Sequence, residues 1–191
     1  REIQQAAGLR RTQMELGSIA CTIVCDDARL DLALPKIVAA GYRKAGQVCT
    51  SVQRLFVDRR IAAEFVPKLV AGARAMQYGD PADPATVIGP MISVAHAQRA
   101  ESWVAEAVRA GAEVLVGGKR DGALLAPTLL TRVTDDMKVS CEEIFAPVVS
   151  ILEFDGIDEA VARANATPYG LSVGLFTSNL HTALRAGRAL R

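Results

Sequence analysis

Short apolar runs rich in β-branched residues alternate along this chain with longer segments of helical periodicity, and this alternation constrains the fold most strongly. Strands that are separated by helices of about ten residues or more are joined by crossover connections, which make neighbouring strands parallel. A parallel sheet is buried on both sides by the helices of those crossovers. We therefore predict an α/β fold with an open, mostly parallel twisted sheet and helices on both faces.

The periodicity of the apolar residues also gives approximate element boundaries. The predicted strands cover residues 12–16, 19–25, 55–58, 113–116, 147–154 and 171–177. The predicted helices cover residues 1–11, 31–44, 61–76, 93–110, 158–165 and 180–191. Residues 124–125 and 128–130 are predicted to form a hairpin-like or crossing excursion. Ser93 is the predicted N-cap of its helix, and Pro35 is expected in the first turn of another.

Composition and charge exclude several classes of protein. The chain has 191 residues, half of them hydrophobic, and a formal net charge of +1. Its basic residues are scattered, which argues against a nucleic-acid or membrane-surface partner. No apolar run approaches the ~18 residues that a membrane span needs, and the first residues do not have the pattern of a signal peptide. We expect one globular domain without nucleic-acid or membrane partners.

The cysteines predict reduced thiols rather than disulfides or a metal site. Cys21, Cys25, Cys49 and Cys141 are too few and too irregularly spaced for a disulfide scaffold in a chain of this size. The two histidines, at positions 96 and 181, lie far from the cysteines in sequence, so no metal site is predicted. Reduced thiols are typical of a cytoplasmic enzyme, which is the location we expect.

Cys49 is the candidate nucleophile. It lies where a helical pattern ends and a strand pattern begins, three residues after Gly46 and before the small polar residues Thr50 and Ser51. Glycine allows a sharp turn and close approach of the backbone to a ligand, and loops on a rigid scaffold often carry reactive groups. The alternative is that Cys49 is a small buried hydrophobic residue, as most cysteines are.

The partner that would activate Cys49 is a carboxylate rather than a histidine. His96 and His181 fall in helical patterns that nothing links to Cys49. Glu15 ends a predicted strand before a glycine, at the kind of strand end where open α/β sheets place ligands. The alternative for Glu15 is a solvated or salt-bridged strand end. The acidic pair at 142–143 precedes another strand and has a helix-terminal charge pair as its alternative.

Four motifs then carry a resemblance to a known family. They are Glu-Leu-Gly at 15–17, Gly-Gln-Val-Cys at 46–49, Glu-Glu-Ile-Phe-Ala-Pro at 142–147 and Asn-Ala-Thr-Pro-Tyr-Gly-Leu at 165–171. In their order, and in the 34 residues that separate Glu15 from Cys49, the sequence resembles the aldehyde dehydrogenase superfamily over essentially its whole length. Within it the chain resembles the non-acylating branch that includes lactaldehyde and semialdehyde dehydrogenases.

The resemblance implies a mechanism in which the parent protein oxidises a small aldehyde to a carboxylate with NAD or NADP. Cys49 would attack the aldehyde to form a thiohemiacetal, its backbone N–H would help to hold the oxyanion, and Glu15 would activate water to hydrolyse the thioester. Glu143 matches the carboxylate that holds the nicotinamide ribose, and Phe145 the ring beside the nicotinamide. Leu16 would lie near the nicotinamide carboxamide through its backbone.

The resemblance further implies that this chain is a piece of a longer enzyme. Residues 1–17 would be the tail of a missing cofactor-binding domain, and residues 18–191 a catalytic domain truncated at its C-terminal end. The chain alone is therefore expected not to turn over aldehyde, and the parent is expected to be a homo-oligomer, a dimer or a tetramer. Ser18 and Ala146 stand where the family commonly has glycine.

Other residues receive structural roles or none. Arg54, just past Cys49, is expected to be a structural ion-pair partner, and Cys21 and Cys25 to pack in the core on one face of a strand. Cys141 has no assigned role, and no charged group can be assigned to a substrate. Two other functions stay open. They are a cysteine-dependent esterase or thioesterase that needs no cofactor, and a non-catalytic packing domain in which Cys49 is inert.

Overall fold

The computed structural model describes residues 2–191, and its strands and helices follow the predicted alternation. The strands are β1 (Cys21–Val24), β2 (Arg54–Asp58), β3 (Glu113–Val116), β4 (Arg120–Asp121), β5 (Leu124–Leu125), β6 (Thr128–Thr131), β7 (Val148–Phe154) and β8 (Val173–Phe176). The helices are α1 (Glu2–Ala7), α2 (Leu30–Tyr42), α3 (Arg59–Arg74), α4 (Val94–Arg109), α5 (Lys138–Cys141), α6 (Ile157–Asn165) and α7 (Leu180–Ala189). A 3-10 segment, Arg43–Gly46, follows α2.

Six of the strands form one sheet in the order β3-β6-β7-β2-β1-β8. Five strands of this sheet, β6, β7, β2, β1 and β8, are parallel to one another, and β3 pairs antiparallel with β6 at one edge. The prediction of a mostly parallel sheet is confirmed. The excursion predicted around residues 124–130 consists of the separate β4–β5 hairpin followed by β6, which joins the main sheet.

Helices cover both faces of the sheet, as predicted, because successive strand residues point to opposite sides. On one face Leu55 belongs to a hydrophobic cluster that includes Phe65 of α3 and residues of α2 and α4. On the other face Phe56 belongs to a second cluster with Ile23 of β1 and Ala160 of α6. Cys21 and Cys25 are buried in the second cluster, which confirms the core position expected for them.

The helix ends follow the sequence with one exception. Ser93 caps α4 as predicted, and its hydroxyl accepts a hydrogen bond from the His96 N–H at 3.3 Å. Pro35 is not in the first turn of α2, because the helix already begins at Leu30. Since Pro35 and Asp31 are exposed, water can bind the Asp31 carbonyl that loses its usual helical donor. Within residues 2–191, none of the helices combines the length and apolar character needed to cross a bilayer.

The N-terminal segment differs from the prediction. The first helix ends at Ala7 rather than at residue 11, and residues 12–16 form no strand. Residues 11–17 are exposed, and no neighbouring strand pairs with them. A single strand without a partner leaves its backbone groups unpaired and is not stable by itself, which explains the irregular conformation.

Candidate active site

The candidate site lies at the amino ends of the parallel strands. Because those strands run in one direction, the loops that lead into β1, β2 and β7 meet at one edge of the sheet. Ser18, Val48, Ser51, Glu143 and Phe145, which come from those three loops, line one narrow cleft. The expectation that Glu15 ends a strand at a ligand-binding strand terminus is therefore wrong. Residues 12–16 are not a strand, and the cleft lies at the opposite strand ends from those that usually bind ligands.

A left-handed turn carries the chain from α2 into the cysteine loop. Lys44, Ala45 and Gly46 have φ angles of 52°, 55° and 67°. A Cβ on Gly46 would lie 2.0 Å from the carbonyl oxygen of Ala146, so only glycine fits there. The sequence correctly predicts a sharp turn and a close approach at Gly46, but the group approached is the backbone of the loop before β7.

Cys49 is half-buried in the tight turn that leads to β2. The N–H of Ser51 donates to the Val48 carbonyl at 2.8 Å and closes this turn around Cys49 and Thr50. The Cys49 thiol is free, and within residues 2–191 its backbone N–H has no hydrogen-bond acceptor. An unpaired N–H beside a nucleophile can stabilise an oxyanion that forms on a bound substrate.

The other three thiols are in environments that favour the protonated form. Burial raises the pKa of Cys21. Burial, with Asp27 nearby, raises the pKa of Cys25 to about 11. Burial and the Glu142 carboxylate raise the pKa of Cys141, whose Sγ also lies 3.4 Å from the Asp136 carbonyl. A protonated thiol is a poor nucleophile, so the surroundings of Cys21, Cys25 and Cys141 do not favour nucleophilic roles for these three residues.

The Glu143 carboxylate is fixed beside the segment that follows Glu15. Its Oε1 accepts a hydrogen bond from the Ser18 N–H at 2.9 Å. Its Oε2 lies 2.9 Å from the position that a Cβ on Gly17 would occupy. Position 18, where the resemblance leads one to expect glycine, is serine. The substitution does not affect this contact, because the backbone N–H of residue 18 makes the hydrogen bond.

Phe145 has a strained backbone and an exposed ring. Its φ angle is +51°, which an L-residue other than glycine, asparagine or aspartate rarely adopts and which costs ~1–2 kcal/mol. Its side chain remains 36% exposed beside the cleft. Strain of this kind persists only where neighbouring contacts impose it. Here the preceding carbonyl, that of Ile144, is bound by Arg99, and the following residue, Ala146, lies against Gly46.

Two polar residues that the sequence analysis did not identify hold the Glu143 loop. Gln53 immediately precedes β2 and is only 6% exposed. Its side-chain amide makes three hydrogen bonds to the backbone of residues 139–144. Arg99 of α4 donates to the carbonyls of Glu143 and Ile144 at 3.4 and 2.8 Å. The only sequence signal for Gln53 is a polar residue at the start of a strongly apolar strand. For Arg99 no signal distinguishes it from other helix-surface arginines.

Glu15 and Leu16 are exposed and are not joined to the cysteine loop. Glu15 accepts one hydrogen bond, from Gln13 Nε2 at 3.2 Å, and Leu16 is 73% exposed. Within residues 2–191, no hydrogen bond or ion pair connects Glu15 with the Cys49 turn. Their assigned roles stay predictions.

Arg54 has a structural role, but the predicted ion pair is wrong. The buried guanidinium donates to the carbonyls of Ile19, Arg163 and Ala164 and lies 5.5 Å from the centre of the Phe56 ring. No carboxylate lies within salt-bridge distance of it in the part of the chain that the structure describes. Three carbonyl dipoles and an aromatic face take the place of a counter-ion.

Arg43 is a cation next to the Cys49 loop, and no motif in the sequence indicates it. Its Nη2 donates to Thr50 Oγ1 at 3.3 Å, one residue beyond Cys49. The side chain is exposed and forms no ion pair with any carboxylate of residues 2–191.

Among residues 2–191, histidine, cysteine and carboxylate side chains form no group of three that could hold a metal ion.

Comparisons with known proteins identify the family. The aldehyde dehydrogenase family model matches residues 1–191. The 3-sulfolactaldehyde dehydrogenase of Priestia aryabhattai is 47% identical over 188 residues, which are 98% of this chain and 39% of that enzyme. The betaine aldehyde dehydrogenase of Rhizobium leguminosarum bv. trifolii is 42% identical over 186 residues, which are 94% of this chain and 38% of the relative.

Solved structures agree with the sequence comparisons. Lactaldehyde dehydrogenase from Escherichia coli matches with a TM-score of 0.89 and 40% identity over 92% of this chain and 38% of that one. A glyceraldehyde-3-phosphate dehydrogenase from Methanocaldococcus jannaschii, solved with NADP, matches with a TM-score of 0.93 and 38% identity over 99% of this chain and 41% of that one. The chain thus spans about two fifths of the length of these relatives. Since the family model matches it from end to end and its fold agrees with solved members, the chain belongs to the aldehyde dehydrogenase family.

Proposed function

We propose that this chain is the catalytic part of an NAD(P)-dependent enzyme that oxidises an aldehyde to a carboxylate. The observation that carries the proposal is the close packing of the Cys49 loop, through Gly46, against the loop that bears Glu143 and Phe145. This packing brings a candidate nucleophile and candidate cofactor-binding groups to one edge of the sheet. In this proposal residues 1–17 are the tail of a cofactor-binding domain, and residues 18–191 are the catalytic domain.

Cys49 performs the first step. Its thiolate adds to the aldehyde carbon, and the electron pair of the C=O bond moves onto oxygen. The free N–H of Cys49 is available to stabilise that oxyanion, which exists in the transition state but not in the aldehyde. The half-buried position of Cys49 permits access to substrate while its neighbours exclude part of the solvent.

The residues at the cleft fit the nicotinamide half of a dinucleotide. A bound NAD(P) would supply the acceptor for the hydride of the thiohemiacetal carbon, and Glu143 and Phe145 would hold its nicotinamide half. Glu143 keeps acceptor capacity on its carboxylate besides the bond from Ser18, which suits the hydroxyls of a ribose. The exposed ring of Phe145 offers an apolar surface to an aromatic ring, and the exposed backbone near Leu16 can reach a carboxamide.

Glu15 completes the reaction in this proposal. Departure of hydride leaves a thioester on Cys49, and water must attack its carbonyl carbon. Glu15 takes one proton from that water while the water oxygen bonds to the carbonyl carbon, and the C–S bond breaks with its electron pair on sulfur, so that Cys49 is again a thiolate. The carboxylic acid formed gives its remaining proton to solvent and leaves as the carboxylate. Within residues 2–191 the Glu15 carboxylate accepts only the hydrogen bond from Gln13, so no other partner holds it in its present position.

We propose further that the aldehyde carries an anionic group. The Arg43 guanidinium has no carboxylate partner within residues 2–191, and it donates a hydrogen bond to Thr50, the residue that follows Cys49 in sequence. A guanidinium binds sulfonate, carboxylate or phosphate oxygens through two parallel N–H groups. The 47% identical relative is named for 3-sulfolactaldehyde, an aldehyde with such a group.

Because Cys49 must be a reduced thiol, we place the enzyme in the cytoplasm. We propose a homo-oligomer, a dimer or a tetramer, as its assembly.

The test is reduction of NAD+ and NADP+ by the full-length protein with 3-sulfolactaldehyde, lactaldehyde and betaine aldehyde. We expect turnover with at least one aldehyde, its loss in Cys49→Ser, and its retention in the matched variant Cys141→Ser. The 191-residue chain alone is expected to give no turnover. Ester hydrolysis without cofactor and no aldehyde oxidation would establish the esterase alternative. Inactivity towards both would favour a non-catalytic domain.

A further inference from the structure

We propose that Gln53 is a positioning residue that sets the place of the Glu143 loop relative to the Cys49 loop; this inference rests on the proposed function. Gln53 lies four residues after Cys49 and immediately before β2. Its own backbone is tied to the sheet on both sides. The Gln53 N–H donates to the Ala20 carbonyl at 3.0 Å, and its carbonyl accepts from the Ser150 N–H at 2.8 Å. Its side chain therefore extends from a fixed point.

The Gln53 amide satisfies one backbone group of α5 and two of the loop between α5 and β7. Its Nε2 donates to the carbonyls of Val139 and Glu142 at 3.1 and 2.6 Å, and its Oε1 accepts from the Ile144 N–H at 3.2 Å. The Glu142 carbonyl and the Ile144 N–H flank Glu143 directly, whereas the Val139 carbonyl belongs to α5. A planar amide with donors at one end and an acceptor at the other can make this set of bonds only when the loop takes one position.

The remaining contacts of the loop explain why the effect of Gln53 is local. Arg99 holds the carbonyls of Glu143 and Ile144 from α4, and Gly46 packs on Ala146. The Ser18 N–H also holds the Glu143 carboxylate. Loss of the Gln53 bonds therefore leaves the loop attached, while the Glu142 carbonyl and the Ile144 N–H on either side of Glu143 lose their partner. The Cys49 turn has its own bond, from the Ser51 N–H to the Val48 carbonyl, and does not depend on the Gln53 side chain.

The prediction is that Gln53 affects cofactor binding and not the nucleophile. Displacement of the Glu143 carboxylate and the Phe145 ring should weaken binding of NAD(P). Acylation of Cys49 by p-nitrophenyl acetate, which needs no cofactor, should remain unchanged. A residue that merely stabilised the fold would lower both together.

The experiment compares Gln53→Met, Gln53→Lys and the control Gln98→Met in the full-length protein. Met has similar length and no hydrogen-bonding group, whereas Lys keeps donors for the two carbonyls and loses only the acceptor. Gln98 is exposed on α4 and makes no side-chain hydrogen bond within residues 2–191. The measurements are the Kd and KM for NAD(P)+, the KM for aldehyde, the acylation rate, and amide hydrogen exchange of residues 139–146 without cofactor.

For Gln53→Met we expect the Kd and KM for NAD(P)+ to rise about tenfold, the equivalent of one or two lost hydrogen bonds. We expect the aldehyde KM and the acylation rate to stay within about twofold, and the Ile144 amide to exchange faster. Gln53→Lys should restore most of the cofactor affinity and serves as the second variant if Met impairs folding. Gln98→Met should match the wild type.

Several results would overturn the inference. Unchanged cofactor affinity in Gln53→Met, unchanged exchange at Ile144, or equal losses in acylation and cofactor binding would each exclude a positioning role. A wild-type protein that binds no NAD(P) would instead refute the proposed function. A wild type that binds and a Gln53→Met variant that binds equally well refute only the inference about Gln53.

Discussion

Gly46 and Ala146 approach so closely that a Cβ on Gly46 would lie 2.0 Å from the Ala146 carbonyl oxygen and 2.7 Å from the nitrogen of Pro147. Both groups are backbone, so no side-chain rotation could relieve the overlap. The loop of the candidate nucleophile and the loop of the candidate cofactor carboxylate are thus joined by a backbone contact that leaves no room for a side chain at position 46.

Gly46→Ala should separate these two loops. The substitution adds the cost of a left-handed φ, ~1–2 kcal/mol per residue, to a clash with fixed backbone. The control is Gly122→Ala, because Gly122 has a φ of +55° and nothing within 4 Å of an added Cβ. In urea unfolding we expect Gly122→Ala to lose only the conformational cost and Gly46→Ala to lose clearly more. Equal losses would contradict the close packing of the two loops.

Arg43→Met should discriminate between anionic and neutral aldehydes. If Arg43 binds the anionic group, kcat/KM for 3-sulfolactaldehyde should fall by about tenfold or more, since hydrogen bonds to charged groups contribute ~1.5–3 kcal/mol. The value for lactaldehyde should change little. Arg109→Met removes an exposed arginine from the last turn of α4 and should affect neither substrate. Equal losses for both aldehydes would exclude a role in anion recognition.

The raised pKa of Cys25 predicts a specific loss of stability at high pH. Burial, with the nearby carboxylate of Asp27, raises this pKa from 9.0 to about 11. Between these values the unfolded chain has lost the thiol proton while the folded chain keeps it, so the free energy of unfolding falls as the pH rises. The contribution of Cys25 should be complete below pH 9 and lost towards pH 11.

This pH effect is measured by urea unfolding of the wild type and Cys25→Ala at pH 8, 9.5 and 11. Other groups titrate in both proteins, so the difference between the two isolates the thiol. The stability gap between them should narrow as the pH rises. A constant gap would show that the Cys25 thiol has an ordinary pKa in the folded protein.

The fold was predictable because its signals are local and repeated. Phe56 and Leu55 point to opposite faces of the sheet, and both faces are buried, so β2 reads as a continuous apolar run of the kind parallel strands show. Residues 12–16 misled the prediction because an apolar pattern does not reveal whether a neighbouring strand exists. The hairpin of β4 and β5 was equally ambiguous, since two-residue strands have no measurable period.

The site was predictable only in part. Motifs single out Cys49 and Glu143 as candidates, and their roles stay predictions, but the contacts that hold their two loops together depend on the fold. Gln53 and Arg99 reach backbone groups between 44 and 91 residues away in sequence. Every residue has a backbone carbonyl that can accept a hydrogen bond, so the residue types at the acceptor positions do not indicate such bonds in the sequence. Arg54 is another example. The sequence led us to expect a carboxylate partner, and the structure has backbone carbonyls instead.

The central claim is that Cys49 is the nucleophile and Glu15 the base that activates water. The most direct measurement is treatment of the protein with p-nitrophenyl acetate followed by intact and peptide mass analysis, for the wild type, Cys49→Ser and Glu15→Gln. We predict an acetyl group on Cys49 alone, its absence in Cys49→Ser, and its slower loss in Glu15→Gln. Acetylation of all four cysteines at similar rates, or of none in the full-length protein, would contradict the assignment of Cys49. Equal rates of deacetylation in the wild type and in Glu15→Gln would contradict the assignment of Glu15 as the base.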